Sequence, residues 1–99
     1  MPTRIRRSKR NVFRDLGFDA AESENLRLRS DLMIELSKLV RSRRLTQAEA
    51  GVIFGVSQPR VSDLMRGRID RFSVDTLVAM LGSAGVRVRL VVRTRSRVA

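Results

Sequence analysis

The chain has no cysteine, histidine, tryptophan or tyrosine. Without cysteine there is no disulfide framework and no thiolate nucleophile. Without cysteine and histidine together there is no zinc site of the usual ligand set and no imidazole proton relay. Aromatic residues are limited to Phe13, Phe18, Phe54 and Phe72. They do not interleave with basic residues as a base-stacking surface would, which weighs against single-stranded RNA as the ligand and assigns them to the core. Apolar runs are only a few residues long, too short to span a bilayer, and none follows the N-terminal charges as a secretory signal requires. A cytoplasmic protein is expected. The Ser, Asp and Glu side chains show neither triad nor metal-ligand spacing, so the expectation is no enzyme, no metal and no cofactor.

What is present is positive charge. Twenty-one Lys+Arg against ten Asp+Glu leave a net charge of +11 on 99 residues, a length that allows one domain of ordinary size. Such a surplus on a small surface attracts polyanions by counterion release. Only Lys9 and Lys38 are lysines. Arginine suits phosphates and guanine edges, but GC-rich coding produces the same excess, so the charge indicates a partner class and its arginine content does not. Residues 1–10 read as a disordered basic arm in which Arg4, Arg6, Arg7, Lys9 and Arg10 are candidate DNA contacts, and 94–99 as a basic tail.

Between the tails, residues 11–93 read as a single domain. From Asp19 to Leu45, Leu28, Leu32, Leu36, Leu39 and Val40 recur at spacings of three and four, which predicts a long helix opened by Asp19 and Glu22 and ending near Arg43-Arg44. Thr46 and Glu49 form a capping box for a short helix that Gly55 stops. Ser57 caps the next, with Pro59 in its first turn, Val61, Leu64 and Met65 inward, and Gly67 at its end. Ser73 caps a fourth helix with Val74, Leu77, Val78 and Leu81 inside, ending between Gly82 and Gly85. Val86, Val88, Leu90 and Val92 then alternate with mostly basic residues, the period of a strand over 86–93. A lone strand needs a partner, either residues around Asn11-Val12-Phe13 or the same strand of a second subunit; the dimer is the favoured reading. The expected fold is mainly α, with four to five helices and a C-terminal β-strand.

Residues 46–66 meet the requirements of a helix-turn-helix: the small pair Ala50-Gly51 where the helices touch, a turn glycine at Gly55, and apolar locks at Val52 or Ile53, Val56, Val61 and Leu64. The second helix then stands free to enter a major groove.

Thr46-Gln47-Ala48-Glu49-Ala50 with Gly55-Val56-Ser57-Gln58-Pro59-Arg60-Val61-Ser62 resembles the phage-repressor-like (XRE) helix-turn-helix family. The continuation through Asp63-Leu64-Met65-Arg66-Gly67 and Asp70-Arg71-Phe72-Ser73 is similar to a narrower branch of small bacterial regulators, the HigA-type antitoxins. Residues 11–18 and the strand segment 87–92 fit that branch too. The resemblance implies base contacts from Gln58, Pro59, Arg60 and Asp63, and phosphate contacts from Gln47, Ser57, Ser62, Arg66 and Arg68, with Arg71 a weaker candidate. Chemically, Gln58 suits adenine, Arg60 suits guanine and Pro59 offers an apolar face to a thymine methyl. Asp63 departs from the polar donors usual at its position, and either accepts from cytosine or repels nearby phosphates.

Three readings of function follow. The first is a sequence-specific DNA-binding regulator, a homodimeric repressor of its own operon, with Val86, Val88, Leu90 and Val92 the candidate dimer strand and helix packing the other interface left open. The second is an antitoxin that also neutralises a ribonuclease toxin of the HigB/RelE type through Phe13, Asp15, Leu16 and Phe18. The third is a non-specific RNA or DNA binder.

Overall fold

The structure, a computed structural model, describes residues 19–94. Helix α1 (Ala20–Ser42) starts where the Asp19 side chain accepts from the Glu22 N–H at 2.7 Å while Glu22 Oε1 accepts from the Asp19 N–H at 3.4 Å. Two donors that no helix can satisfy internally are thereby paired. Helix α2 (Gln47–Phe54) opens on the same arrangement at Thr46 and Glu49. Ser57 caps α3 (Gln58–Met65) and Ser73 caps α4 (Val74–Ser83). One 3-10 turn, Ile69–Arg71, joins α3 to α4.

The four helices among the described residues stop by one device. A residue in the left-handed conformation follows each (Arg44, Gly55, Gly67, Gly85), and the next N–H bonds back five residues. These bonds run from Leu45 to the Val40 carbonyl at 2.9 Å, Val56 to Gly51 at 2.9 Å, Arg68 to Asp63 at 3.0 Å and Val86 to Leu81 at 2.9 Å. This Schellman arrangement pairs the orphan carbonyls of the last turn.

The caps fix where helices begin and end; burial fixes how they pack. Met33, Leu36 and Val40 of α1 meet Leu77, Met80 and Leu81 of α4, with Ala50 and Phe54 of α2, Val61 and Leu64 of α3, and Phe72 completing the core. Helix α1 lies chiefly against α4, and α2 against α3. Leu32 and Leu39 are half-buried at the edge of this cluster, and Met33 is buried in it instead. Phe54 and Phe72 are core residues, as expected; Phe13 and Phe18 lie outside the described residues.

Two expectations need correction. Val78 is exposed: α4 turns Leu77 and Leu81 inward, and the next position round the helix faces solvent. More importantly, no strand forms among the described residues, so the strand expected over 86–93 is not present. Alternation says which face a strand would bury but supplies no neighbour, and no described segment offers its backbone as a ladder partner. Val86 alone in that stretch is half-buried against the core; Leu90 is 74% exposed and Val92 81%. No helix among the described residues is long and apolar enough to cross a membrane.

Arg44 is the one described non-glycine residue at positive φ (54°). A side chain there strains the backbone, and glycine relieves it at some cost in unfolded-chain entropy. Arg44→Gly should therefore stabilise the fold by about 0.5–1 kcal/mol, read as a rise in the midpoint of urea unfolding at unchanged m-value.

Candidate nucleic-acid interface

The site begins with a backbone contact. Gly51, buried in the middle of α2, lies so close to the following turn that a Cβ built on it would sit 2.8 Å from the Val56 carbonyl oxygen. Gly55, at φ 73°, reverses the chain immediately after α2. Ala50 and Phe54 then pack inward with Val61 and Leu64 of α3, which fixes the rotation of α3 about its own axis. The face opposite Val61 and Leu64 is left to solvent. Of the two apolar locks considered in α2, Ile53 packs against the core, whereas Val52 is 84% exposed and locks nothing.

Five of the residues expected to meet DNA are exposed at the two ends of α3. Ser57, Gln58 and Pro59 are exposed at the start of α3, and Arg66 and Arg68 are exposed just past its end. Ser57 Oγ is held as a helix cap, accepting from the Arg60 N–H at 3.4 Å. Gln47 is half-buried as the first residue of α2, and Ser62 is half-buried on α3. Residues of the basic arm (Arg4, Arg6, Arg7, Lys9, Arg10) and of the segment Phe13, Asp15, Leu16 and Phe18 lie outside the described residues.

Arg60 and Asp63 occupy a different environment from their neighbours. The Arg60 guanidinium lies over the Phe72 ring, 5.4 Å from its centroid, and its Nη1 donates to the Arg71 carbonyl at 2.9 Å. Asp63 Oδ2 faces Arg71 Nη1 at 3.4 Å, and its Oδ1 faces Arg68 Nε at 3.9 Å. Side chains of α3 are thus tied to the 3-10 turn. That turn is anchored from behind by Arg29 of α1, whose Nη1 donates to the Ile69 carbonyl at 3.0 Å and the Phe72 carbonyl at 3.4 Å.

Sequence reasoning missed Arg29 and the ring of Phe72 as parts of this assembly. A signal existed for Arg29: it stands four, seven and eleven residues before Met33, Leu36 and Val40, in line with the buried stripe of α1. A guanidinium in such a stripe must find acceptors, and backbone carbonyls supply them. Among the described residues no group of three or more acidic side chains could hold a metal ion.

A helix-turn-helix domain pattern matches residues 12–93, nearly the whole described structure and the seven residues before it. The chain belongs to the helix-turn-helix domain family. A solved structure described as an XRE family transcriptional regulator is similar to it at 29% sequence identity and a TM-score of 0.71, over 79% of this chain and 88% of that chain. No curated protein matches the chain. Helices α2 and α3 both lie within the matched stretch, and the likeness supports an XRE-like helix-turn-helix.

Because Gly51 touches a backbone oxygen rather than a movable side chain, Gly51→Ala must push α3 or the turn aside. The overpacking should outweigh alanine's better helix propensity and destabilise the helix-turn-helix by about 1–3 kcal/mol. Chemical denaturation of the two chains under the same conditions measures it.

Proposed function

We propose that the chain is a sequence-specific DNA-binding transcriptional regulator that acts as a dimeric repressor of its own operon. The observation that carries this reading is the outer side of α3. A capped helix, fixed in rotation by Val61 and Leu64, presents Gln58 and Pro59 at its start and a cluster of arginines at its end. That is the disposition of a helix that enters a major groove with base-reading residues at its N-terminal end while cations meet the flanking phosphates. Gln58, Pro59 and Arg60 are the proposed base contacts. Gln47, Ser57, Ser62, Arg66 and Arg68 are the proposed phosphate contacts, with the arm residues Arg4, Arg6, Arg7, Lys9 and Arg10 extending the electrostatic footprint. Arg60 in this role would keep the stack on Phe72 while the rest of its fork reads guanine, since one donor serves the Arg71 carbonyl and four remain.

The dimer is proposed to form through residues 86–93. Val88, Leu90, Val91 and Val92 are exposed there, and from Arg87 onward the backbone forms no hydrogen bond with other described residues. Edge pairing with the same segment of a second copy would satisfy those groups and bury one apolar face. The preceding helix α4 carries no basic residue, so two copies can approach there with less repulsion than elsewhere on a chain of charge +11.

The antitoxin reading rests on Phe13, Asp15, Leu16 and Phe18 with the acidic residues that follow. Of these, Asp19 and Glu22 cap α1 and Glu24 pairs with Arg27. Co-purification with a product encoded beside this gene would favour that role in addition to DNA binding.

Selection of duplexes from a randomised library tests the reading. The full chain should enrich an inverted repeat with half-sites about 10 base pairs apart, one turn of duplex. A chain ending at Val86 should be monomeric by light scattering and bind a single half-site weakly. Enrichment of no sequence, or a dimer that survives the truncation, would contradict the DNA-reading and dimer proposals respectively.

A further inference from the structure

We infer that Asp63 is a positioning residue, which holds the guanidinium groups of Arg68 and Arg71 for the DNA backbone, and that Arg71 is a phosphate contact. This deepens the DNA-binding reading and rests on it. The carboxylate side chain is 20% exposed, against 42% for Arg68 and 49% for Arg71. The anion is thus the inner member of the cluster and the two cations the outer ones. Each of its oxygens already faces a guanidinium nitrogen, Oδ1 toward Arg68 and Oδ2 toward Arg71. Each oxygen keeps a further lone pair, so it is the place of the carboxylate behind two more exposed cations that sets it back from a cytosine amino group. Its charge cannot act chiefly as a repeller of phosphates either, because the outer surface of the cluster is cationic.

Arg71 is held at both ends. Its side chain meets Asp63 of α3, and its carbonyl accepts from Arg60 of the same helix at 2.9 Å. The carbonyls of Ile69 and Phe72 on either side are gripped by Arg29 from α1. An arginine has five donors; Asp63 accepts from Nη1 of Arg71 at 3.4 Å, while Nε of Arg68 lies 3.9 Å away as an ion pair without a hydrogen bond. The remainder of each fork is left to clasp phosphate oxygens. A long side chain that is already oriented loses less freedom when it binds, so this carboxylate strengthens an electrostatic contact despite its own sign.

The test uses the full chain, Asp63→Asn, Arg71→Ala and the double variant. The probe is the duplex that the unaltered chain selects from a randomised library. Asp63→Asn should weaken binding about tenfold although it removes a negative charge, and should leave the preference at every base pair unchanged. Arg71→Ala should weaken all sequences alike and flatten the salt dependence by about one unit of slope. The double variant should lose less than the product of the two single losses. Tighter binding of Asp63→Asn to all duplexes, or an altered preference at one base pair, would overturn the inference. A second arm needs no DNA: nuclear magnetic relaxation of the Arg71 Nε–Hε group should show it ordered in the free chain and freed in Asp63→Asn. Unchanged relaxation overturns the positioning role. A chain that selects no duplex at all, with the relaxation difference intact, contradicts the DNA-binding reading instead.

Discussion

The approach of the Gly51 backbone to the Val56 carbonyl is the contact on which the rest of this molecule depends. It brings α2 against the turn at a distance no side chain allows, and Gly55 then reverses the chain within one residue. Only with that reversal do Val61 and Leu64 reach Ala50 and Phe54, so α3 is set by backbone geometry first and by hydrophobic burial second. The outer face of α3 follows from both. Its start is exposed because its middle is buried on the other side.

The second constraint comes from behind. Arg29, in line with the buried stripe of α1, ties the carbonyls of Ile69 and Phe72 to the long helix. The 3-10 turn in turn receives Arg60 and presents Arg71 to Asp63. Arg60 and Arg71 are therefore tied to the 3-10 turn and to α3 by hydrogen bonds rather than left as free surface charge. Isolated surface ion pairs such as Lys38 with Glu35 contribute little by comparison. A connected set that includes backbone carbonyls and an aromatic face orders several long side chains at once. On a chain of net charge +11, order of this kind is what the proposed sequence-reading role of α3 would need beyond a general attraction to polyanions.

Local signals in the sequence located the helices well, because the groups that end a helix lie within a few residues of it. Asp19 with Glu22, Thr46 with Glu49, Ser57 and Ser73 each cap the helix they precede. Gly55 and Gly67 stop theirs, and Arg44 stops α1 where no glycine marks the place. The turn of the helix-turn-helix was legible for the same reason. Burial was less so at the margins: Val52 and Val78 are apolar but fall outside the arc their helices bury. The strand failed for a different reason, since alternation at 86–92 describes a face, whereas a ladder depends on a second backbone. Arg29 was marked by its place in the buried stripe of α1, but which groups meet around Asp63 was not legible, because Arg60 and Arg71 are eleven residues apart and Arg29 is forty from Ile69. Residue spacing within one helix carries no information about such contacts.

The most direct measurement is binding of the full chain to the DNA immediately upstream of its own gene, against scrambled DNA of equal length, at about 150 mM salt, where long-range attraction between exposed charges is screened. A specific operon regulator should prefer its own upstream sequence by about a thousandfold or more. Equal, weak binding to both would mean that the arginine surplus alone draws the chain to DNA, and would contradict a sequence-reading role for α3 at that site.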